Sequence, residues 1–401
     1  MARYWISLLL CLLAGKAAAA HYEVDWTLSF DARTHSARGS LTLGKGSEQV
    51  KQLDLKFGSA YSEIRADGDL QIKGARALWT PPPGGGTLRW RVRIDEQRSN
   101  GTYRSYFPGD WALFRGDRVF PSARVRSAKG AESRARLHLD VPAQWHLDTP
   151  YLAHPDGSFL VDDPDRRFDR PVGWMLVGEI GTRREVIAGT EVALAAPKDE
   201  GMRRMDMLAF LNYNLPAMKD AFGALPPKIL IVSAPDPMWR GGLSAPRSLY
   251  LHLDRPMVSE NATSTLLHEL THVITRIRGE ADNDDWIAEG IAEFYGVELM
   301  HRTGGTTDAR YQRTLEWLRD WGKSVKTLRT PRSSAETTAR AVLLFVDLDQ
   351  EIQRKTQGRK HIDDLTRQLM RLRKVSTAEF IAAAEKIAGG KLKSLDTPLL
   401  R

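Results

Sequence analysis

Apolar and polar positions alternate with period two along the first half of the chain. The runs "HYEVDWTLSF", "LRWRVRI", "ARLHLDV" and "GTEVALA" are punctuated by Gly, Pro and Asp, and "TPPPGGGT" makes a conspicuous loop at Thr80 to Thr87. Such runs predict short strands with one buried face, and several in succession predict an antiparallel β-sandwich over residues 21–197. Beyond Lys198 the period lengthens. "MDMLAFLNYNLPAMKDAF" has helical spacing, "KILIVSA" is an apolar run of strand length, and "RSLYLHL" is a second strand. After Ala262 helical spacing prevails, down to "TAEFIAAAEKIAG" near the end. The expected fold class is α+β: a β-sandwich domain at 21–197, then a mainly helical domain at 198–401.

The opening "MARYWISLLLCLLAGKAAAA" departs from both textures. A basic Arg3, a short apolar run from Trp5 to Ala14, and small residues to Ala20 describe a secretory signal peptide over residues 1–20. A membrane span needs about 20 apolar residues, and Gly15-Lys16 end this run too early. An exported, bacterial periplasmic setting is expected, with the mature chain starting near His21. Cys11, the one cysteine, leaves with the signal, so no disulfide can hold the mature protein and buried cores must do so. The formal charge of +8 is spread along the 401 residues and reads as a solvated basic surface. No basic–aromatic cluster suggests nucleic acid, and no later segment reaches membrane-spanning length. Nothing in the pattern signals a particular oligomer.

One stretch carries chemistry. "ENATSTLLHELTHVITRI" offers Asn261 and Thr263 as caps, then Leu266, Leu267, Leu270, Val273 and Ile277 at helical spacing. Residues i and i+4 share a helix face, so His268 and His272 present imidazole nitrogens to the same ion, and Glu269 projects beside it where a general base would stand. Two histidines leave a tetrahedral site incomplete. After the polar turn "GEADNDD", a second amphipathic helix "WIAEGIAEFYGVELM" begins behind an Asp cap and puts Glu289 and Glu293 four apart on one face. Glu289 as third ligand and Glu293 as acceptor for a ligand histidine's other N–H would satisfy both carboxylates. One zinc per chain is the implied cofactor. His252 alternates in a strand and reads as packed or hydrogen-bonded, and no Gly-x-Ser-x-Gly supplies a nucleophile.

"HELTH" followed by "WIAEGIAEFY" resembles the gluzincin metallopeptidases, the glycyl aminopeptidase family more closely and the aminopeptidase N family more distantly. The likeness implies a thermolysin-like catalytic domain behind the β domain, a peptide or protein substrate, and Glu289 as the third zinc ligand. "WRGGLSAPRSLYL", Trp239 to Leu251, resembles the family's Gly-rich segment before an edge strand, which implies substrate binding at Gly241, Gly242 and Leu243. "TTARAVLLFVDLDQEIQRKT" resembles its Tyr-x-Lys-Gly helix. Two departures follow. Ser244-Ala245 stands where the family carries an amine-gripping glutamate, and Thr338 stands at the oxyanion-stabilising tyrosine, with Arg340 at the lysine and Ala341 at the glycine. Tyr311, Tyr295, His301 and Arg340 are the available substitutes. We take Tyr311 as the catalytic candidate beside Glu269, and group Arg340 with the substrate-binding segment. Two functions stay open: a zinc metallopeptidase, and a zinc-bearing but catalytically weak envelope protein that binds peptides or a partner.

Overall fold

The structure, a computed structural model, describes residues 20–162 and 167–401. The signal peptide read at the start lies, apart from Ala20, outside the described residues. Strand His21–Asp31 shows how the first half is built: Tyr22, Val24, Trp26 and Leu28 point inward and are buried, while His21 and Glu23 face solvent. It belongs to a six-stranded sheet ordered Phe159–Val161, Glu132–Asp140, His21–Asp31, Ser36–Leu43, Gly86–Arg93, Tyr61–Ala66. A four-stranded sheet, ordered Ser122–Ser127, Val50–Lys56, Arg76–Thr80, Asp69–Lys73, adds Leu53, Leu55, Ala77 and Trp79 to the same core. Neighbours in these two sheets pair antiparallel with one exception. His21–Asp31 and Glu132–Asp140 run parallel, with Trp26 opposite Leu137. The long connection between them makes room for the crossover that a parallel pair requires, which a hairpin reading of local alternation does not anticipate.

A three-stranded sheet (Trp111–Arg115, Trp174–Gly178, His146–Asp148) forms the next layer. Its Trp111, Leu113, Trp174 and Leu176 pack on Ala193, Ala195, Leu230, Val232 and Tyr250 of a five-stranded sheet. That sheet is ordered Ile180–Ile187, Thr190–Pro197, Lys228–Val232, Ser248–Leu251, Gly242–Ala245, with its three central strands parallel. It is covered on both faces, which is why "KILIV" is apolar after Lys228 and wholly buried. The sheet also runs across position 197, where the sequence texture changes. Thr190–Pro197 pairs with Lys228–Val232, Val192 opposite Ile229, and Val192, Leu194 and Ala196 join the core of the helical half. Alternation marks a strand without naming its partner, so the expected division at 197 cuts one sheet in two.

Among the described residues, a single helical turn, α1 (Gly116–Val119), precedes seven longer helices. These are α2 (Arg204–Phe222), α3 (Thr265–Thr275), α4 (Asp285–Arg302), α5 (Asp308–Trp321), α6 (Ala335–Thr356), α7 (Ile362–Leu372) and α8 (Thr377–Ala388). Leu266, Leu267, Leu270, Val273 and Ile274 of α3 and Trp286, Ile287, Ile291 and Phe294 of α4 share one core with α6. No described helix is long and apolar enough to cross a membrane.

Candidate metal centre

Helix α3 begins later than either of its capping candidates suggests. Ser264, rather than Asn261 or Thr263, is the N-cap, and its hydroxyl accepts the Leu267 N–H at 3.3 Å. The apolar stripe turns into the core and leaves His268 and His272 half-buried on the face toward α4. Gly296 of α4 lies against this turn of α3, where a Cβ would make only ordinary contacts, 3.5 Å from Ser264 O and 3.7 Å from His268 N.

The approach gathers four side chains. His268 Nε2 and His272 Nε2 are 3.2 Å apart, and each lies 3.4 Å from an oxygen of Glu289. Their ligand atoms fall within 4.8 Å of one another, the only such group of His, Cys, Asp or Glu among the described residues. Glu293 Oε2 lies 2.8 Å from His268 Nδ1, so Nδ1–H donates to this carboxylate and Nε2 keeps its lone pair for the shared point. Nitrogen lone pairs and carboxylate oxygens repel one another at these distances unless a cation lies among them. Burial opposes charge on His268, yet Glu289 and Glu293 beside it outweigh burial and hold its pKa well above the ordinary imidazole value. Burial likewise works against the Glu289 charge, but the two imidazoles keep its carboxyl far below the usual range. Two imidazoles and one carboxylate are the donor set of an open zinc site, and these residues fit that ion.

Glu269 is held separately. It is buried, and its Oε2 accepts the Ser244 N–H at 2.7 Å, leaving Oε1 without a protein partner among the described residues. Ser244 belongs to the edge strand Gly242–Ala245, which lies against α3 because Gly242 has no side chain. A Cβ on Gly242 would meet Thr265 Cγ2 at 2.7 Å and Glu269 Cγ at 3.0 Å. Trp174 Nε1 donates to Leu243 O at 2.8 Å and fixes the same strand from the N-terminal side. The segment Gly242-Leu243 thus reaches the site, with Gly241 one residue outside the strand.

A cavity of about 470 Å³ opens over this set, lined by His272, Glu289, Ser244, Arg115, Asp285 and Pro331 among others. Arg115 had no signal in the sequence, because it comes from a strand far earlier in the chain. Two expected residues are elsewhere. The Tyr311 hydroxyl donates to Glu298 Oε2 at 2.7 Å, and its ring stacks on His301 with centroids 4.2 Å apart. Glu298 is nine residues past Glu289, about 13 Å along α4, so Tyr311 serves a different end of that helix. Arg340 is half-buried on α6 with its backbone against Gly322 and is not in the cavity lining. Tyr295 and His301 are also engaged away from the metal set, with Asp363 and Asp308. Helical spacing identified these as helix residues but gave no means of ranking which helix end each would occupy.

With the geometry in view, two solved structures share this fold. An aminopeptidase N family protein from Idiomarina loihiensis superposes with a TM-score of 0.66 at 16% identity, over 90% of this chain and 72% of that one. Yeast LTA4 hydrolase, solved in complex with bestatin, superposes with a TM-score of 0.60 at 14% identity, over 93% of this chain and 65% of its own. The fold is therefore mixed α/β and shared with these two proteins. The chain spans somewhat less than three quarters of the first neighbour's length and under two thirds of the second's. The sequence itself matches no known family description and no curated protein.

Proposed function

We propose that this protein is an exported, zinc-dependent metallopeptidase of the gluzincin kind. One observation carries the reading: the set His268, His272, Glu289 is backed by Glu293 and stands next to a separate carboxylate, Glu269, aimed from the same helix and tethered to a sheet edge. A purely structural zinc site has four protein ligands and no use for such a neighbour. The nearer likeness to the glycyl aminopeptidases rests on "HELTH" and "WIAEGIAEFY", and export rests on the opening residues.

His268, His272 and Glu289 would hold one zinc, with His268 oriented through Nδ1 by Glu293. Zinc at such a set supplies Lewis acidity, polarising a carbonyl and bringing the pKa of a water to about 7. Glu269 Oε1 is the atom placed to take a proton from the attacking water and return it to the leaving amine nitrogen as the C–N bond breaks. The Ser244 N–H on Oε2 keeps this carboxylate from turning away. Strand Gly242–Ala245 pairs on one side only, so its open edge accepts an extended peptide by main-chain hydrogen bonds.

A binding role for the same site has one observation in its favour. Thr338 stands at the family's tyrosine position and Tyr311 is committed to Glu298, so among the described residues no tyrosine hydroxyl bonds the metal set. Losing one oxyanion donor typically costs about 10²–10³ in turnover. A peptide-library digest by the purified mature protein, with chelator and then with zinc restored, separates the two. Cleavage that stops and returns supports the peptidase; a zinc-loaded protein that cleaves nothing leaves the binding role.

A further inference from the structure

We propose that Arg115 is a substrate-recognition residue that takes a carboxylate, either an acidic side chain or a free C-terminus, at one fixed place along the bound peptide. This rests on the peptide-binding cleft proposed above and names the chemistry one of its positions selects.

Arg115 ends the strand Trp111–Arg115, opposite Trp174, and lines the cavity shared by His272 and Glu289. Its guanidinium is fixed rather than loose. Nε donates to Asp117 Oδ1 at 3.0 Å and Nη2 to Asp117 Oδ2 at 2.9 Å, while the group lies 6.0 Å from the ring of Trp174. Trp174 is buried and donates its indole N–H to Leu243 O, the edge strand along which a peptide would lie. Arg115 is therefore tied through one rigid ring to the strand that sets the register of the substrate.

The pair with Asp117 does not exhaust the fork. Nη1 has no protein partner among the described residues, and it is not among the buried polar atoms left without one, so solvent or a ligand reaches it. A planar guanidinium held on one edge by a carboxylate presents its other edge to a second carboxylate with the matching bidentate geometry. Asp117 cancels the long-range field of Arg115, so the selection acts by contact, at one peptide position, rather than as a general attraction for acidic chains. The cavity's acidic lining besides Glu289 comes from elsewhere, Glu280 and Asp282 from the connection leading into α4 and Asp285 from the first residue of α4, where it already accepts the Ser333 N–H at 2.8 Å.

The test measures binding, so it does not depend on turnover. Zinc-loaded Glu269→Gln protein is titrated into dye-labelled, N-acetylated, C-amidated alanine-based peptides in which one Asp, or its Asn control, is moved through each position. A parallel pair differs only in a free or amidated C-terminus. We expect Asp to bind about tenfold more tightly than Asn at one position, or the free terminus to bind better than the amide, which identifies the source of the carboxylate. Arg115→Gln should abolish the difference, and Asp117→Asn, which frees the second edge of the fork, should keep or enlarge it. A merely structural Arg115–Asp117 pair predicts the same result for both variants. Should Arg115→Gln fail to melt cooperatively, Arg115→Lys and Asp117→Asn decide the matter, the lysine weakening the preference. Equal binding of every Asp and Asn pair and of both termini, or a preference that survives in Arg115→Gln, overturns the proposal alone. Absence of any peptide binding at full zinc overturns the cleft as well.

Discussion

Glu269 on α3 and Glu293 on α4 are carboxylates with different proposed roles, and what each touches decides the difference. Glu293 faces the back of His268, so in the proposed zinc site it would act on the metal through an imidazole. Glu293→Ala should leave the fold intact and lower zinc affinity by about 10–100-fold in a competition titration. Unchanged affinity would return Glu293 to an ordinary half-buried glutamate. Glu269 touches no ligand and is held by the Ser244 amide. Glu269→Gln keeps size and the amide contact but cannot take a proton, so elemental analysis should find one zinc per chain while turnover falls by at least about 10²-fold. Full activity in that variant removes Glu269 as the base. Tyr311 supplies the contrast. Its phenol is pushed well above the ordinary value by burial first and then by Glu298, and it serves as a donor to that glutamate. Tyr311→Phe should therefore cost about 1 kcal/mol of stability and leave turnover within about twofold, because the lost hydrogen bond lies far from the metal set. A large fall in turnover at unchanged stability would restore a catalytic role.

The elements around the site are spaced by glycine. Gly290 follows the ligand Glu289 directly, and a Cβ there would lie 2.6 Å from Phe345 Cε2 and 2.8 Å from Ala341 Cβ. The phenyl ring can turn, but Ala341 cannot withdraw its Cβ without moving α6. The small residue at 341 and the glycine at 290 are thus two halves of one close contact between α4 and α6. Gly290→Ala should cost about 1–3 kcal/mol in denaturant unfolding and weaken zinc binding, since α4 carries Glu289 with it when it shifts. If stability falls and zinc affinity does not, the contact is a packing feature with no hold on the ligand.

At the scale of the whole molecule, the segment ahead of α4 is tied to the C-terminal helix. Asp284 is buried, and its carboxylate accepts the Thr377 N–H at 3.0 Å, the Thr377 hydroxyl at 2.7 Å and the Ala281 N–H at 3.2 Å. Burial by itself would raise its pKa, and the donors from Thr377 and Ala281 outweigh burial and lower it below the ordinary aspartate value. A carboxylate with a depressed folded pKa contributes stability that is complete above its unfolded pKa and disappears as pH falls through the folded one. Asp284→Asn should therefore be less stable than the parent by about 1–2 kcal/mol at pH 6, and the gap should close below about pH 4. A gap that stays constant down to pH 3 assigns the stabilisation to shape rather than charge.

The sequence by itself determined the pieces whose physics is local. Four-residue spacing in "HELTH" and in "EGIAE" put His268 with His272 and Glu289 with Glu293 on single helix faces, because one helical turn is all that such pairing needs. Alternation in "HYEVDWTL" likewise foretold which side chains of the first strand would be buried. Tertiary structure alone decided whatever depends on which elements meet. It set the parallel return of Glu132–Asp140 onto the first strand and the sheet that continues across position 197. It placed Arg115 and Trp174 beside an edge strand far along the chain, and it turned Tyr311 toward Glu298 instead of the metal set. Periodicity records which face of an element is buried and is silent on what buries it. For this protein, the spacing within two helices was enough to pair the proposed ligands on their helix faces, while the walls around them came from strands and helices that only folding brings together.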